Sequence, residues 1–260
     1  LAFSDCTGLM SIVIPDSVTD IQEGAFSNIG SANIVISPNN KNFSFEGGIL
    51  YNNQNEILYV PHNIEEIEIP RTMTRIPFGL FKNCFDLKKV IIPESVTSIE
   101  TGAFYGCIRL ENITIPDSVE NIGSRAFENC RKLTSVNIPS AVTDIGNDAF
   151  NWCENLKDVY ITDMTKWCNI SFVNGCSNPL FYAKNLYLNG QIITDLVIPY
   201  EVTGIGNYAF YHYDNIVNVK IPNSVKSIGM YAFASCSNLV SVDISDNVTE
   251  ICSGTFSMCT

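Results

Sequence analysis

The 260-residue chain carries 27 Asp and Glu against 15 Lys and Arg, a formal charge of −12, and 46% of its residues are apolar. That apolar content excludes a disordered chain, and a strongly acidic balance with no Lys/Arg run excludes a surface that tracks nucleic-acid phosphates. No apolar stretch reaches the length that crosses a bilayer, so no membrane insertion is expected in this segment.

The first fifteen residues are the back half of a repeat: Ala2, Phe3, Cys6, Leu9, Ile12, Ile14 and Pro15 return at the same slots further on. Residues 92–114, IPESVTSIETGAFYGCIRLENIT, show one whole copy, and Ile115-Pro116 opens the next copy 23 residues later. The phenylalanine slot marks the register: Phe3 and Phe26, then Phe81, Phe104, Phe127 and Phe150, then Phe210, Phe233 and Phe256. Such self-similarity is the signature of a solenoid, in which each repeat packs only on its neighbours. One continuous domain over residues 1–260 is therefore expected.

Within a repeat, the last two apolar residues of L-x-x-I-x-I lie two apart, which is strand alternation. Each repeat thus contributes one short strand to a parallel sheet, closed by a Pro that has no N–H to donate. V-x-x-I reads as a second brief extended segment. A-F-x-x-C reads as a short helical turn that buries Phe. The slot held by Gly123, Gly146, Gly206 and Gly229 is Pro77 in another copy, so it demands no left-handed backbone.

Two insertions break the cadence. At Ala32, Ile34 and Ile36 the apolar pattern slips by one, and an insertion over about residues 37–63 follows. Its GGILYNNQNEILYVP (residues 47–61) places two apolar runs around a polar turn, a β-hairpin. The second insertion, about 161–192, starts where Asp163 can cap a short helix through Met164, Trp167 and Cys168. It ends on Asn189-Gly190 between apolar runs, a type I′ hairpin signal. Leu1 and Thr260 both fall inside a repeat, so the sequence is expected to continue at either end.

The IPxSV opening (Pro15 to Val18, Pro93 to Val96, Pro116 to Val119, Pro222 to Val225), the Ala-Phe-x-x-Cys core and L-x-x-V/I-x-I together resemble the BspA-like leucine-rich repeats. The resemblance implies a secreted or cell-surface, non-enzymatic scaffold that binds a protein partner such as a host, matrix or neighbouring-cell protein. It names no ligand and no cofactor. A spacer that presents another domain of a longer surface protein is the alternative it leaves open.

The residues offer little for chemistry. Seven of the ten cysteines (Cys6, Cys84, Cys107, Cys130, Cys153, Cys236 and Cys259) share the slot three after Phe, where Ile29 and Tyr213 substitute for them. A slot that accepts Ile is an apolar packing slot. Cys168 and Cys176 lie off that ladder, and the sequence leaves a bridge between them open. No C-x-x-C or Cys/His cluster has zinc spacing, and nothing sets His62 or His212 beside a nucleophile. No catalytic or metal-binding residue is assigned.

The solvent-facing strand slots are the better candidates, because a solenoid presents them as one extended surface. They include Lys89, Ile91, Asn112, Asn137, Asp158, Tyr160, Val197, Lys220 and Asp243. Tyr160, Val197 and Ile91 are apolar anchors in a polar field, a composition suited to protein recognition. Glu65 with Lys88, and Glu66 with Lys89, are 23 apart and should face each other across adjacent strands.

Overall fold

The computed structural model describes residues 1–260 as a coil of short strands and turns in which like residues lie over like. A front sheet carries the L-x-x-I-x-I segments: Asn112–Ile113, Ser135–Asn137, Asp158–Ile161 and Asn185–Leu188 pair in parallel, and Asn112↔Ser135↔Asp158↔Asn185 fixes the register. Beyond the second insertion the same face continues as Asp195–Val197, Asn218–Ile221 and Ser241–Ile244. Glu66–Glu68 with Lys89–Ile91, and Ser11–Ile14 with Asn33–Ile36, form its earlier pairs. The one-residue slip at Ala32 is absorbed here, since Ile12 pairs with Ile34 and Ile14 with Ile36, a step of 22.

The V-x-x-I segments build a second, narrower sheet: Arg75–Ile76, Ser98–Ile99, Asn121–Ile122, Asp144–Ile145 and Ser171–Phe172. Each strand has one inward apolar residue, so a two-residue strand suffices. Gly123 and Gly146 follow it with ordinary backbone angles. A Cβ there would lie 2.5 and 2.4 Å from the amide nitrogen of the preceding winding. These glycines serve close approach and not an unusual φ.

The third side departs from the sequence reading. A-F-x-x-C is no helical turn: it is a pair of tight turns bracketed by left-handed residues two before and two after each Phe. The positions before Phe are Gly24, Gly79, Gly102, Arg125, Asp148, Tyr208, Tyr231 and Gly254. Those after it are Asp5, Asn28, Asn83, Gly106, Asn129, Trp152, His212, Ser235 and Met258. At the bracketing positions the N–H itself lies along the solenoid axis and reaches the following winding: Gly79 and Asn83 donate to the Thr101 and Tyr105 carbonyls at 3.2 and 2.7 Å. Phe81, Phe104 and Phe127 each donate their N–H at 2.8 Å to the carbonyl of Ala103, Ala126 and Ala149. A helix would spend those donors within its own winding.

Inside, the phenylalanines stack as three columns. Phe81, Phe104, Phe127 and Phe150 run with ring centroids 5.0–5.4 Å apart, Phe210, Phe233 and Phe256 at 5.1–5.4 Å, and Phe3 with Phe26 at 5.6 Å. The cysteine slot is interior and gains a further role. The thiols of Cys107, Cys130, Cys153 and Cys236 donate to the carbonyls of Phe81, Phe104, Phe127 and Phe210 at 3.1–3.2 Å. Burial pushes the Cys130 and Cys236 thiols up to about 12, so they stay protonated and act as weak donors.

The first insertion is larger than a hairpin. The strands Ile49–Asn52 and Ile57–Tyr59 are joined by Phe43–Glu46, paired antiparallel through the Gly47-Gly48 turn, to make a three-stranded meander. The second contains the helix Met164–Cys168, with Asp163 accepting from the Lys166 N–H at 3.1 Å. The Asn189-Gly190 turn follows, both residues having positive φ, between Asn185–Leu188 and Gln191–Ile192. Cys168 and Cys176 are free thiols. Lys88 and Glu65 form an ion pair at 2.6 Å. Lys89 and Glu66 are register partners whose charged ends make no salt bridge, which is unsurprising for exposed side chains.

Candidate functional site

The front sheet turns two rows of side chains to solvent, and the rows differ in how much of their bonding is already used. Lys89, Asn112 and Asp158 lie in the row next to the incoming turn. Here polar side chains bond along the axis. Asn112 Oδ1 accepts from Ser135 Oγ at 2.9 Å and from Thr134 Oγ1 at 3.0 Å, and Asn185 Nδ2 donates to Asp158 Oδ1 at 2.7 Å. Further on, Asn218 Nδ2 donates to Asp195 Oδ1 and Ser241 Oγ to Asn218 Oδ1, both at 2.6 Å. Such ladders hold register between windings.

Ile91, Asn137, Tyr160, Val197, Lys220 and Asp243 make up the second row. Asn137 is half-buried, and both ends of its amide are engaged: Oδ1 accepts from the Ile115 N–H at 2.8 Å and Nδ2 donates to the Ile115 carbonyl at 2.7 Å. It substitutes for a strand ladder between neighbouring windings, which places it in the frame. Ile91, Tyr160 and Val197 are exposed, at 47%, 40% and 63%. Val197, Lys220 and Asp243 are consecutive register partners.

Sequence reasoning missed Tyr187. Its ring stacks on Tyr160 with centroids 4.9 Å apart and planes 18° from parallel, and Tyr160↔Tyr187 are register partners. Burial, then the Asp158 charge, pushes the Tyr187 hydroxyl above its ordinary pKa. The signal was available: Ala183, Leu186 and Leu188 reproduce the strand pattern of Leu156, Val159 and Ile161 at an offset of 27, inside what reads as a hairpin. The hairpin interrupts the face between Tyr187 and Val197. There Tyr213, standing in a cysteine slot, accepts from the Leu186 N–H and donates to the Ile193 carbonyl, capping groups the broken ladder leaves free.

Elsewhere the structure gathers little reactive chemistry. His62 is half-buried against the edge of Phe85, its Nε2 without a hydrogen-bond partner, and burial lowers its pKa. His212 is exposed in a left-handed turn. No group of three His, Cys, Asp or Glu side chains sits within metal-ligating range. No helix is long and apolar enough to cross a membrane.

A coil of 23-residue windings with a parallel front sheet, inward apolar columns and an outward mixed face defines a leucine-rich repeat solenoid. The family model of the BspA type leucine-rich repeat region matches in six copies, over residues 1–68, 52–178 and 183–260. The chain belongs to that family. Among solved structures it is similar to a leucine-rich repeat protein from Eubacterium ventriosum, with 28% identity and a TM-score of 0.58 over 95% of this chain and 58% of that one. It is also similar to a leucine rich cell surface protein from Faecalibacterium prausnitzii, with 24% identity and a TM-score of 0.40 over 91% of this chain and 79% of that one. A third likeness is to the T. pallidum leucine rich repeat protein, at 22% identity and a TM-score of 0.41, over 80% and 81% of the two chains. The chain spans 58% of the length of the E. ventriosum protein. No curated protein matches.

Proposed function

We propose that this chain is a non-enzymatic scaffold that binds a protein partner through the second row of its front sheet, at a cell surface or outside the cell. One observation carries the reading: Tyr160 and Tyr187 stack face to face in solvent, flanked along the same row by exposed Ile91 on one side and by Val197 and Lys220 beyond the hairpin. Aromatic residues held rigid by their neighbours are the common anchors of protein interfaces. The first row, whose polar groups bond to one another, supplies a pre-formed rim that loses little freedom on contact. Membership of the repeat family supports the surface location and the adhesive role in this reading.

The test is a surface-binding assay of the intact chain against immobilised extracellular-matrix proteins. It compares the parent with a Tyr160→Ser, Tyr187→Ser, Lys220→Glu variant whose thermal melt is unchanged. Loss of at least tenfold in affinity supports the reading. Unchanged binding overturns it and favours the alternative, a spacer that presents another domain. Asn137 is unsuited to this test, because removing its amide strips two bonds from Ile115.

A further inference from the structure

A second surface lies on the turn side, where the second insertion meets the two windings after it. Phe181, Tyr208, Tyr211 and Tyr231 wall a cleft of about 320 Å³ floored by Gly175 and Cys176. Tyr208 and Tyr211 meet edge to face at 89° with centroids 5.6 Å apart. Behind each stands a parallel ring: Tyr231 is 5.4 Å from Tyr208, and Phe181 is 5.9 Å from Tyr211. Gly175 permits this, since a Cβ there would lie 2.5 Å from Tyr211 Cε1.

The fold does not require these rings. Tyr208 and Tyr231 hold the left-handed position two before Phe, with φ of 58° and 54°, where other windings have Gly24, Gly79, Gly102 and Gly254 or the ringless Arg125 and Asp148. A bulky residue there carries backbone strain that glycine would relieve, and strain of this kind concentrates at functional positions. Two tyrosines kept at the costly slot, both facing one cleft, point to a use for the rings.

Charge narrows that use. Asn174, on the cleft wall, donates to Asp148 Oδ1 at 2.8 Å, and Asp148 has no ion-pair partner. Glu128 lies nearby with Arg125 Nε at 3.4 Å. Both carboxylates raise the Cys176 thiol after the larger effect of burial, so the floor stays neutral while the surroundings are acidic. Aromatic walls around a floor with carboxylates beside it favour a cation. A planar guanidinium stacks flat on a single open ring face, and Tyr231 and Phe181 already cover one face each of Tyr208 and Tyr211. Walls at right angles suit a tetrahedral group.

We propose that this cleft holds an N-alkylated ammonium head group, packed in the corner of Tyr208 and Tyr211. It is separate from the front-sheet face and stands or falls without it.

The experiment titrates the intact chain with tetramethylammonium, following the tyrosine ring resonances by NMR. In parallel arms it uses 3,3-dimethylbutanol, a neutral group of similar shape, and arginine amide, a planar cation. Saturable shifts confined to Tyr208, Tyr211 and Tyr231 are expected, with both comparison ligands at least about tenfold weaker. Tyr231→Leu should weaken binding and Tyr231→Phe retain it, and Tyr231 is exposed enough for both to fold. Equal binding of the neutral analogue, stronger binding of arginine amide, or shifts absent or located elsewhere would each overturn the assignment.

Discussion

The two insertions interrupt the same repeat pattern at different windings and leave opposite marks on the core. After the first, the apolar interior is split: Ile14, Phe26, Ile29, Ala32, Ile34, Phe43, Leu50 and Tyr59 form a cluster of 8 residues apart from the 60-residue main core. Phe26 ends its column against Tyr59 edge-on at 6.4 Å. Side chains carry the junction: Glu23 accepts from the Phe78 N–H and pairs with Arg75, Ser27 Oγ donates to the Gly79 carbonyl, and Asn83 Nδ2 donates to Asn28 Oδ1.

The second insertion is longer yet leaves the core whole, because it supplies a strand to each sheet. Ser171 N–H donates to the Thr143 carbonyl, Lys184 N–H to Lys157 and Phe150 N–H to Cys176, so the backbone ladder passes into it. Where the ladder ends, the Ala209 carbonyl receives Trp167 Nε1 and Asn178 Nδ2, both at 3.0 Å, in place of a preceding Phe N–H. Continuity depends on whether an insertion meets the free groups and the apolar columns of both neighbours. Its length matters less.

The largest way to break this contrast is Trp167→Ala. Loss of a fully buried indole and its bond should cost about 3–5 kcal/mol and convert a single denaturant transition into two, as the last windings part from the rest. Phe127→Ala, in mid-column, should cost as much while keeping one transition. Equal behaviour of the two variants would remove the special role of Trp167.

Tyr213→Phe comes next. It leaves the Leu186 N–H and the Ile193 carbonyl without their partner, at about 1–3 kcal/mol, measurable as a lowered midpoint. A smaller effect concerns the first junction, which Lys82 and Asp5 span at 2.7 Å. Hydrogen bonds from Lys82, then Asn28, hold the Asp5 carboxyl below its usual 3.8. A depressed folded pKa means the stabilisation is present above pH 3.8 and is lost as pH falls through the lower folded value. The pair is exposed and screened, so under about 1 kcal/mol is involved. Hydrogen exchange should accordingly quicken first in residues 1–36 as the pH drops below 3.8, whereas quickening first around Phe210 would contradict the contrast. Smallest is Trp152→Asn: Asn83 and Asn129 already hold that left-handed slot, and a gain of about 0.5–1 kcal/mol in thermal stability is expected.

Much of the molecule was readable in advance. Phe127, Cys130 and Val136 announce their interior places by recurring at 23, and Lys88 finds Glu65 by the same count. Asp163 and Asn189-Gly190 were readable because a cap and a type I′ turn are local devices. The left-handed brackets were hidden, since Arg125, Tyr231 and Met258 share slots with glycine and asparagine and no residue type marks them. Tyr187 was hidden by an offset of 27, and the role of Asn137 by its partner, a main-chain group in another winding.

The sequence alone determined which residues become neighbours along the axis, because equal repeat lengths force equal side chains into one column. Only the tertiary structure decided the hand of the turns, the continuity of the core and which polar groups stay free. Those outcomes depend on backbone donors and acceptors that one winding leaves for the next, and a residue's own identity does not encode its neighbour's unspent bonds.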